Sequence, residues 1–159
     1  MVLESFCHDE SLFITLTYDS EHLPFPGSLD PAHLRNFLKR LRFHFDKSFG
    51  GRLRFFGVGE YGDKSWRPHY HAILFGVGYA HVGLVERAWQ DSDGESIGWV
   101  HCGDVTPESC QYVAGYTTKK MTTTHDDRLI AFRREGVNLH PEFARQSKGI
   151  GAPALPFRS

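Results

Sequence analysis

His69 and His71 stand one residue apart at the head of an apolar run, "RPHYHAILFG". Side chains two apart on an extended strand point the same way. The two imidazoles therefore share a face with Ile73 and Phe75, and Tyr70, Ala72 and Leu74 take the other. Two neutral imidazoles on one face can hold a divalent ion, given a third ligand from a neighbouring strand. Glu60 lies near the end of the preceding run, "RLRFFGVGEYG", and the short connection between the runs turns the chain back. A hairpin would bring its carboxylate to the histidines. A mixed nitrogen and oxygen set with open positions suits Mg2+ or Mn2+. Alone, a His-x-His pair serves equally well to line a polar strand edge. The carboxylate at hairpin spacing makes the group a candidate metal site.

A second group lies in "YVAGYTTKK", from Tyr112 to Lys120. On a helix at about 100° per residue, with Tyr112 at zero, Tyr116 falls near about +40° and Lys119 near about −20°. Cys110, Val113, Ala114 and Thr117 fall between about 100° and 200°. One side of the helix is thus apolar, and the other carries two phenols and an ammonium. A phenol is a weak nucleophile at neutral pH, with an unperturbed pKa of about 10. A nearby cation or a metal-polarised electrophile lets it act. Two tyrosines turned away from the apolar stripe, beside a lysine, form a candidate nucleophile array. Read alone, the same tyrosines could equally pack over a neighbouring loop.

These groups need elements to position them. The residues 11–19, "SLFITLTYD", read as a strand rich in β-branched and aromatic side chains. "EHLPFPGS" is a loop. Asp30 is a good N-cap and Pro31 a good first helical residue. Leu34, Phe37, Leu38, Leu41 and Phe45 then make an apolar stripe at helical spacing, ending near 48–51. Strands follow at 52–62 and 67–77, which should pair antiparallel, then a helix at 80–91, a strand at 98–105 and a helix at 106–120. Beyond 121 the pattern reads as loop and tail. The order β-α-β-β-α-β-α predicts an α+β fold with an antiparallel central sheet and helices packed on it, of the split-βαβ, ferredoxin-like kind.

At 159 residues and 40% hydrophobic content the chain suits one domain, 1–159, with a core of about 11–121 and a less regular segment, 122–159. Cys7, Cys102 and Cys110 form no C-x-x-C pair, which argues against a zinc ribbon or a disulfide scaffold and fits a reducing compartment. No apolar run is long enough to span a bilayer, and the acidic "MVLESFCHDESLF" lacks the basic start of a signal peptide. The net charge of −1 argues against a general nucleic-acid coat protein. Basic residues are nevertheless clustered: Arg35, Lys39, Arg40, Arg42, Lys47, Arg52 and Arg54 in one group, Lys119, Lys120, Arg128, Arg133 and Arg134 in another. Local basic surfaces suit a site-directed anionic partner, or are simply solvated helix faces.

Together, "FITLTYD", "GEYG" followed by "RPHYHAILFG", "YVAGYTTKK" and the late "RQSKGIG" resemble the motifs of the HUH endonucleases. The likeness is to the rolling-circle replication initiators of microviruses, of the gokushovirus type, and runs from about Leu3 to Gly151. It implies the HUH nuclease fold. It also implies an enzyme that nicks one strand of an origin through a tyrosine, which becomes linked to the 5′ phosphate and leaves a free 3′ hydroxyl. By that resemblance Glu60, His69 and His71 hold a divalent metal, Mg2+ or Mn2+. Tyr116 with Lys119 fits the Y-x-x-K pattern, and Tyr112 fits the second tyrosine of the two-tyrosine class. Gly115 stands where close relatives have a lysine three residues after the first tyrosine. The resemblance further implies single-stranded origin DNA and host replication proteins as partners, no membrane, and the cytoplasm of a bacterial host.

Initiators of this type carry a cysteine-rich segment before the first motif and more sequence after the GIG stretch, so the chain reads as a nuclease domain or a shortened relative. DNA held by basic side chains and aromatic stacking makes Trp66, Arg67, Lys120, Arg35, Lys39 and Arg42 candidate contacts. No G-x-x-x-x-G-K run is present, so no helicase motor is expected here. Three other readings stay open at this level: a single-tyrosine HUH transposase using Tyr116, a non-catalytic metal-stabilised nucleic-acid-binding domain, and a metallohydrolase that activates water.

Overall fold

A computed structural model describes residues 2–5, 7–49, 53–115 and 125–150. The elements in chain order are α1 (Val2–Ser5), β1 (Ser11–Tyr18), α2 (Pro31–Phe49), β2 (Arg54–Tyr61), β3 (Pro68–Phe75), α3 (Val82–Ala88), β4 (Gly98–Asp104), α4 (Pro107–Gly115), α5 (Asp127–Arg134) and β5 (Phe143–Gln146). The strands form one antiparallel sheet in the order β4-β1-β3-β2-β5. The fold is α+β, with helices packed on a central antiparallel sheet.

β1 alternates strictly in burial, and the reason is its sequence. Leu12, Ile14, Leu16 and Tyr18 face α2 and α3, where Leu34, Phe37, Leu38, Leu41, Phe45, Val85, Ala88 and Trp89 complete the larger core. The helical stripe of α2 is the one expected from its spacing, and Asp30 caps its start by accepting from the Ala32 amide at 2.8 Å. Phe13, Thr15 and Thr17 point to the opposite face. There a smaller core forms under α4 from Phe56, Val58, Ile73, Phe75, Cys110 and Val113. β2, covered on both faces for most of its length, is buried at nearly every position.

Behind the histidine strand, on the α2 side, lies a buried phenol network. The Tyr18 and Tyr70 hydroxyls are 2.7 Å apart, and Tyr18 Oη is 2.6 Å from His33 Nδ1. Tyr70 Oη accepts from the Asp30 amide at 2.9 Å, which ties β3 to the first turn of α2. Burial pushes the Tyr70 phenol up to about 12 and Tyr18 further still.

Two differences from the sequence reading have clear causes. The helix expected over 80–91 ends at Ala88. Trp89 is buried and donates its indole N–H to the Thr17 carbonyl at 2.8 Å, which pulls the chain out of helical geometry. The segment beyond 121, read as loop and tail, contains α5 and the edge strand β5. β5 spans four residues, too few to show a period, and forms by pairing with β2. Phe143 packs directly over Gly59, where a Cβ would collide with its ring. At the start of the chain, Glu4 is buried and ion-paired with Arg54, with His8 at 3.1 Å.

Candidate active site

The hairpin β2–β3 sets Glu60 directly across from His69. The ligand atoms of Glu60, His69 and His71 lie within 4.8 Å of one another. His69 Nε2 is 2.7 Å and His71 Nε2 3.0 Å from Glu60 Oε1. The other ring nitrogens are held from behind. His69 Nδ1 lies 3.1 Å from the Arg67 carbonyl, which can only accept, so that nitrogen carries the proton in the neutral ring. His71 Nδ1 is 2.8 Å from the Thr15 hydroxyl of β1. Both imidazoles thus present Nε2 to one point, with outer partners fixing their orientation. Phe13 stacks on His71 at 5.4 Å between ring centres.

Glu60 is 2% exposed. Burial alone would raise its pKa, but the hydrogen bonds from His69 and His71 and their charge outweigh it and hold the carboxyl down at about 2. Burial disfavours the His69 imidazolium, yet the Glu60 contact and then the Arg67 carbonyl raise its pKa above the ordinary histidine value. Glu60 Oε2 is buried with no hydrogen-bond partner among the described residues. A buried carboxylate oxygen left without a donor is costly. That orphaned atom, beside two Nε2 donors, fits a divalent cation, and the mixed donor set fits a hard or borderline one.

α4 lies over this face of the sheet. Its apolar side, Cys110 and Val113, is buried, and Tyr112 turns the other way. The Tyr112 hydroxyl donates to Glu60 Oε1 at 3.1 Å, and its ring meets His71 edge-on at 5.4 Å. Tyr112 is therefore at the triad. Tyr116, Lys119 and Lys120 lie outside the described residues.

The remaining sequence candidates sit elsewhere. Trp66 is wedged between Tyr61 and Phe132, at 5.2 Å from each, with the Arg128 guanidinium 5.2 Å above its ring. Arg67 donates to the Tyr18 carbonyl at 2.8 Å. Both side chains hold the hairpin in place. Arg35, Lys39 and Arg42 are on α2, on the far side of the sheet from the triad. They rim a cavity of about 290 Å³ floored by Leu34, Leu38 and Phe55 and shared with Arg145 of β5. Sequence reasoning overlooked Thr15. Its signal was present: Thr15 and Thr17 are the polar alternates of an otherwise apolar strand, and they mark the face that carries the site.

A sheet with two imidazoles and a carboxylate converging beneath a tyrosine helix defines an α+β domain built to bring a phenol to a cation-binding cluster. The comparisons give the family. Residues 11–121 match the family of replication-associated proteins of the ORF2 type, and the chain belongs to that family. It is 34% identical over 137 residues to replication-associated protein ORF4 of Chlamydia phage 1, covering 78% of this chain and 34% of that protein. It is 32% identical over 152 residues to replication-associated protein ORF2 of Spiroplasma virus 4, covering 87% and 45% of the two chains. It is 34% identical over 137 residues to replication-associated protein VP4 of Bdellovibrio phage phiMH2K, covering 77% and 43%. The chain thus spans between about a third and a half of the length of these relatives. No solved structure gives a significant match. Among the described residues no helix is long and apolar enough to cross a membrane.

Proposed function

We propose that this chain is the nuclease unit of a rolling-circle replication initiator, an HUH endonuclease that cuts single-stranded origin DNA by tyrosine attack and later rejoins the ends. The observation that carries the reading is the Tyr112 hydroxyl at 3.1 Å from the carboxylate of a Glu60, His69 and His71 cluster. Family membership and the phage relatives support the replication role.

Glu60, His69 and His71 would hold a divalent ion, Mg2+ or Mn2+, which when bound draws charge from the oxygens of the scissile phosphate. The protein's own groups do the rest. Thr15 and the Arg67 carbonyl keep both Nε2 atoms aimed at one point. α4 carries the phenol to the phosphate. The tyrosine oxygen attacks phosphorus, a phosphotyrosine bond forms, the P–O3′ bond breaks, and the leaving 3′ oxygen takes up a proton. One phosphodiester replaces another, so no nucleotide energy source is required. Tyr116, with Lys119 three residues on, is the proposed initiating nucleophile, and Lys119 offsets charge on the phosphate oxygens. Tyr112 is the proposed acceptor in the closing transfer. On this reading the molecule acts in the cytoplasm of a bacterial host, beside host replication proteins.

The test is incubation with single-stranded oligonucleotides from candidate origins and Mn2+, followed by a denaturing gel. The expected product is a protein–DNA adduct that survives denaturant, with peptide mapping placing it on Tyr116 for a fresh strand. Cleavage without an adduct would replace the reading with water activation, and an adduct mainly on Tyr112 would reverse the order of the tyrosines.

A further inference from the structure

The pairing of the strands puts an unexpected residue in line with the triad. Trp99 of β4 faces Thr17 of β1, Thr17 faces His69 of β3, and His69 faces Glu60 of β2. Residues directly opposite one another in neighbouring strands project to the same face. Trp99, Thr17, His69 and Glu60 therefore form one row across four strands, ending at the carboxylate of the triad. The next row on the same face is His101, Thr15, His71 and Val58. At about 4.8 Å per strand, Trp99 is about 10 Å from His69.

The three tryptophans of the chain differ sharply in what their rings do. Trp89 is buried at 1% exposure. Trp66 is clamped by Tyr61, Phe132 and Arg128. Trp99 is 65% exposed, and among the described residues no ring or cation packs on its face. It stands on the outer strand of the sheet, and Gly98 before it lets the backbone run so close to the Thr17 carbonyl that a Cβ would collide there. A large apolar ring held open to water on a rigid strand, level with the triad, is a surface built for a flat ligand.

We propose that Trp99 is a stacking platform for a base of the single strand whose phosphate lies at the triad. The proposal rests on the reading that this open face takes single-stranded DNA. Stacking suits every base, so the platform holds the strand and sets its path without reading its sequence. It orients the strand across the sheet, from β4 over Thr17 to the phosphate at His69 and Glu60. The cations of α2 are on the other face and cannot serve this path.

The test is a fluorescence titration with oligo-dT and with a scrambled oligonucleotide, in chelator so that no cleavage intervenes. The native chain should bind with quenching of its exposed tryptophan. Trp99→Ala should lose that quenching and weaken binding about tenfold, equally for both sequences. Trp99→Phe, which keeps a ring, should recover most of the affinity. With oligonucleotides carrying one abasic position, walked along the strand, the native protein should lose affinity at one position where Trp99→Ala loses no more. Unchanged affinity in Trp99→Ala, in a chain whose native form binds, would overturn the platform and leave the proposed function standing. A native chain that binds no single strand would overturn both. A penalty confined to one sequence would replace stacking with base readout.

Discussion

The two faces of the sheet are made from the same strands and do opposite things. β1 sends Leu12, Ile14, Leu16 and Tyr18 to one side, where they are fully buried under α2 and α3. It sends Phe13, Thr15 and Thr17 to the other, where α4 covers only the smaller core. β3 repeats the contrast within three residues. Tyr70 is fully buried in the phenol network behind the sheet, while His69 and His71 on either side of it converge on Glu60. The closed face fixes where the strands lie. The open face uses the same backbone to hold unfavourable groups close together. Packing on one side lets the other keep a buried carboxylate with an oxygen that no described residue partners.

The comparison is broken most severely from the open side. His69→Ala with His71→Ala should lower adduct formation more than about a hundredfold, since the cation's stabilisation of phosphate charge is lost. The thermal midpoint should hold, because the closed face is untouched. Full cleavage by the double variant in chelator-treated buffer would separate the triad from catalysis. Between those histidines, Tyr70→Phe attacks the closed face. It strips a partner from the Tyr18 hydroxyl and from the Asp30 amide and should cost about 1–3 kcal/mol in denaturant unfolding. Metal affinity should stay close to native. A large loss of metal binding without loss of stability would mean that the faces are not independent.

Thr15→Val sharpens the contrast, since it keeps shape and removes only the hydroxyl behind His71. Outer-partner losses typically cost about ten- to a hundredfold in metal affinity, and calorimetric titration with Mn2+ should read that range. An unchanged affinity would show that Phe13 alone orients the ring. The smallest effect is expected from Arg35→Ala with Lys39→Ala. A phosphate contact contributes about −0.7 to the slope of log affinity against log salt on a single strand. With an oligonucleotide short enough to occupy only the triad face, the slope should not change. A shift of one such step per residue would put the strand on the α2 side.

Much of this arrangement is legible in the sequence. The same-face histidines, the hairpin that returns Glu60, the apolar stripe of α2 and the outward turn of Tyr112 all follow from fixed periods of strand and helix. These are local rules, and each needs only the order of residues. What stays hidden depends on which strands become neighbours. "GWVHCGDV" reads as a strand but says nothing of lying beside β1, so Trp99 cannot be aligned with His69 from sequence. Thr15 can be assigned a face but not a histidine. The basic cluster of α2 can be seen as a surface but not as the far surface, because spacing along a helix does not say which side of the sheet it covers. β5 is too short to announce itself and exists by pairing with β2.

By itself, then, the amino-acid order determined the ligand types, their shared faces and the family motifs, because side-chain direction repeats with the backbone's own geometry. The tertiary structure decided the strand order, and with it which face is sealed by α2, which outer residues orient the histidines, and where an exposed tryptophan stands relative to the triad. Those choices are made by burial summed over the whole sheet, since a strand is placed by the partner that hides most of its apolar side. No local stretch of sequence contains that sum.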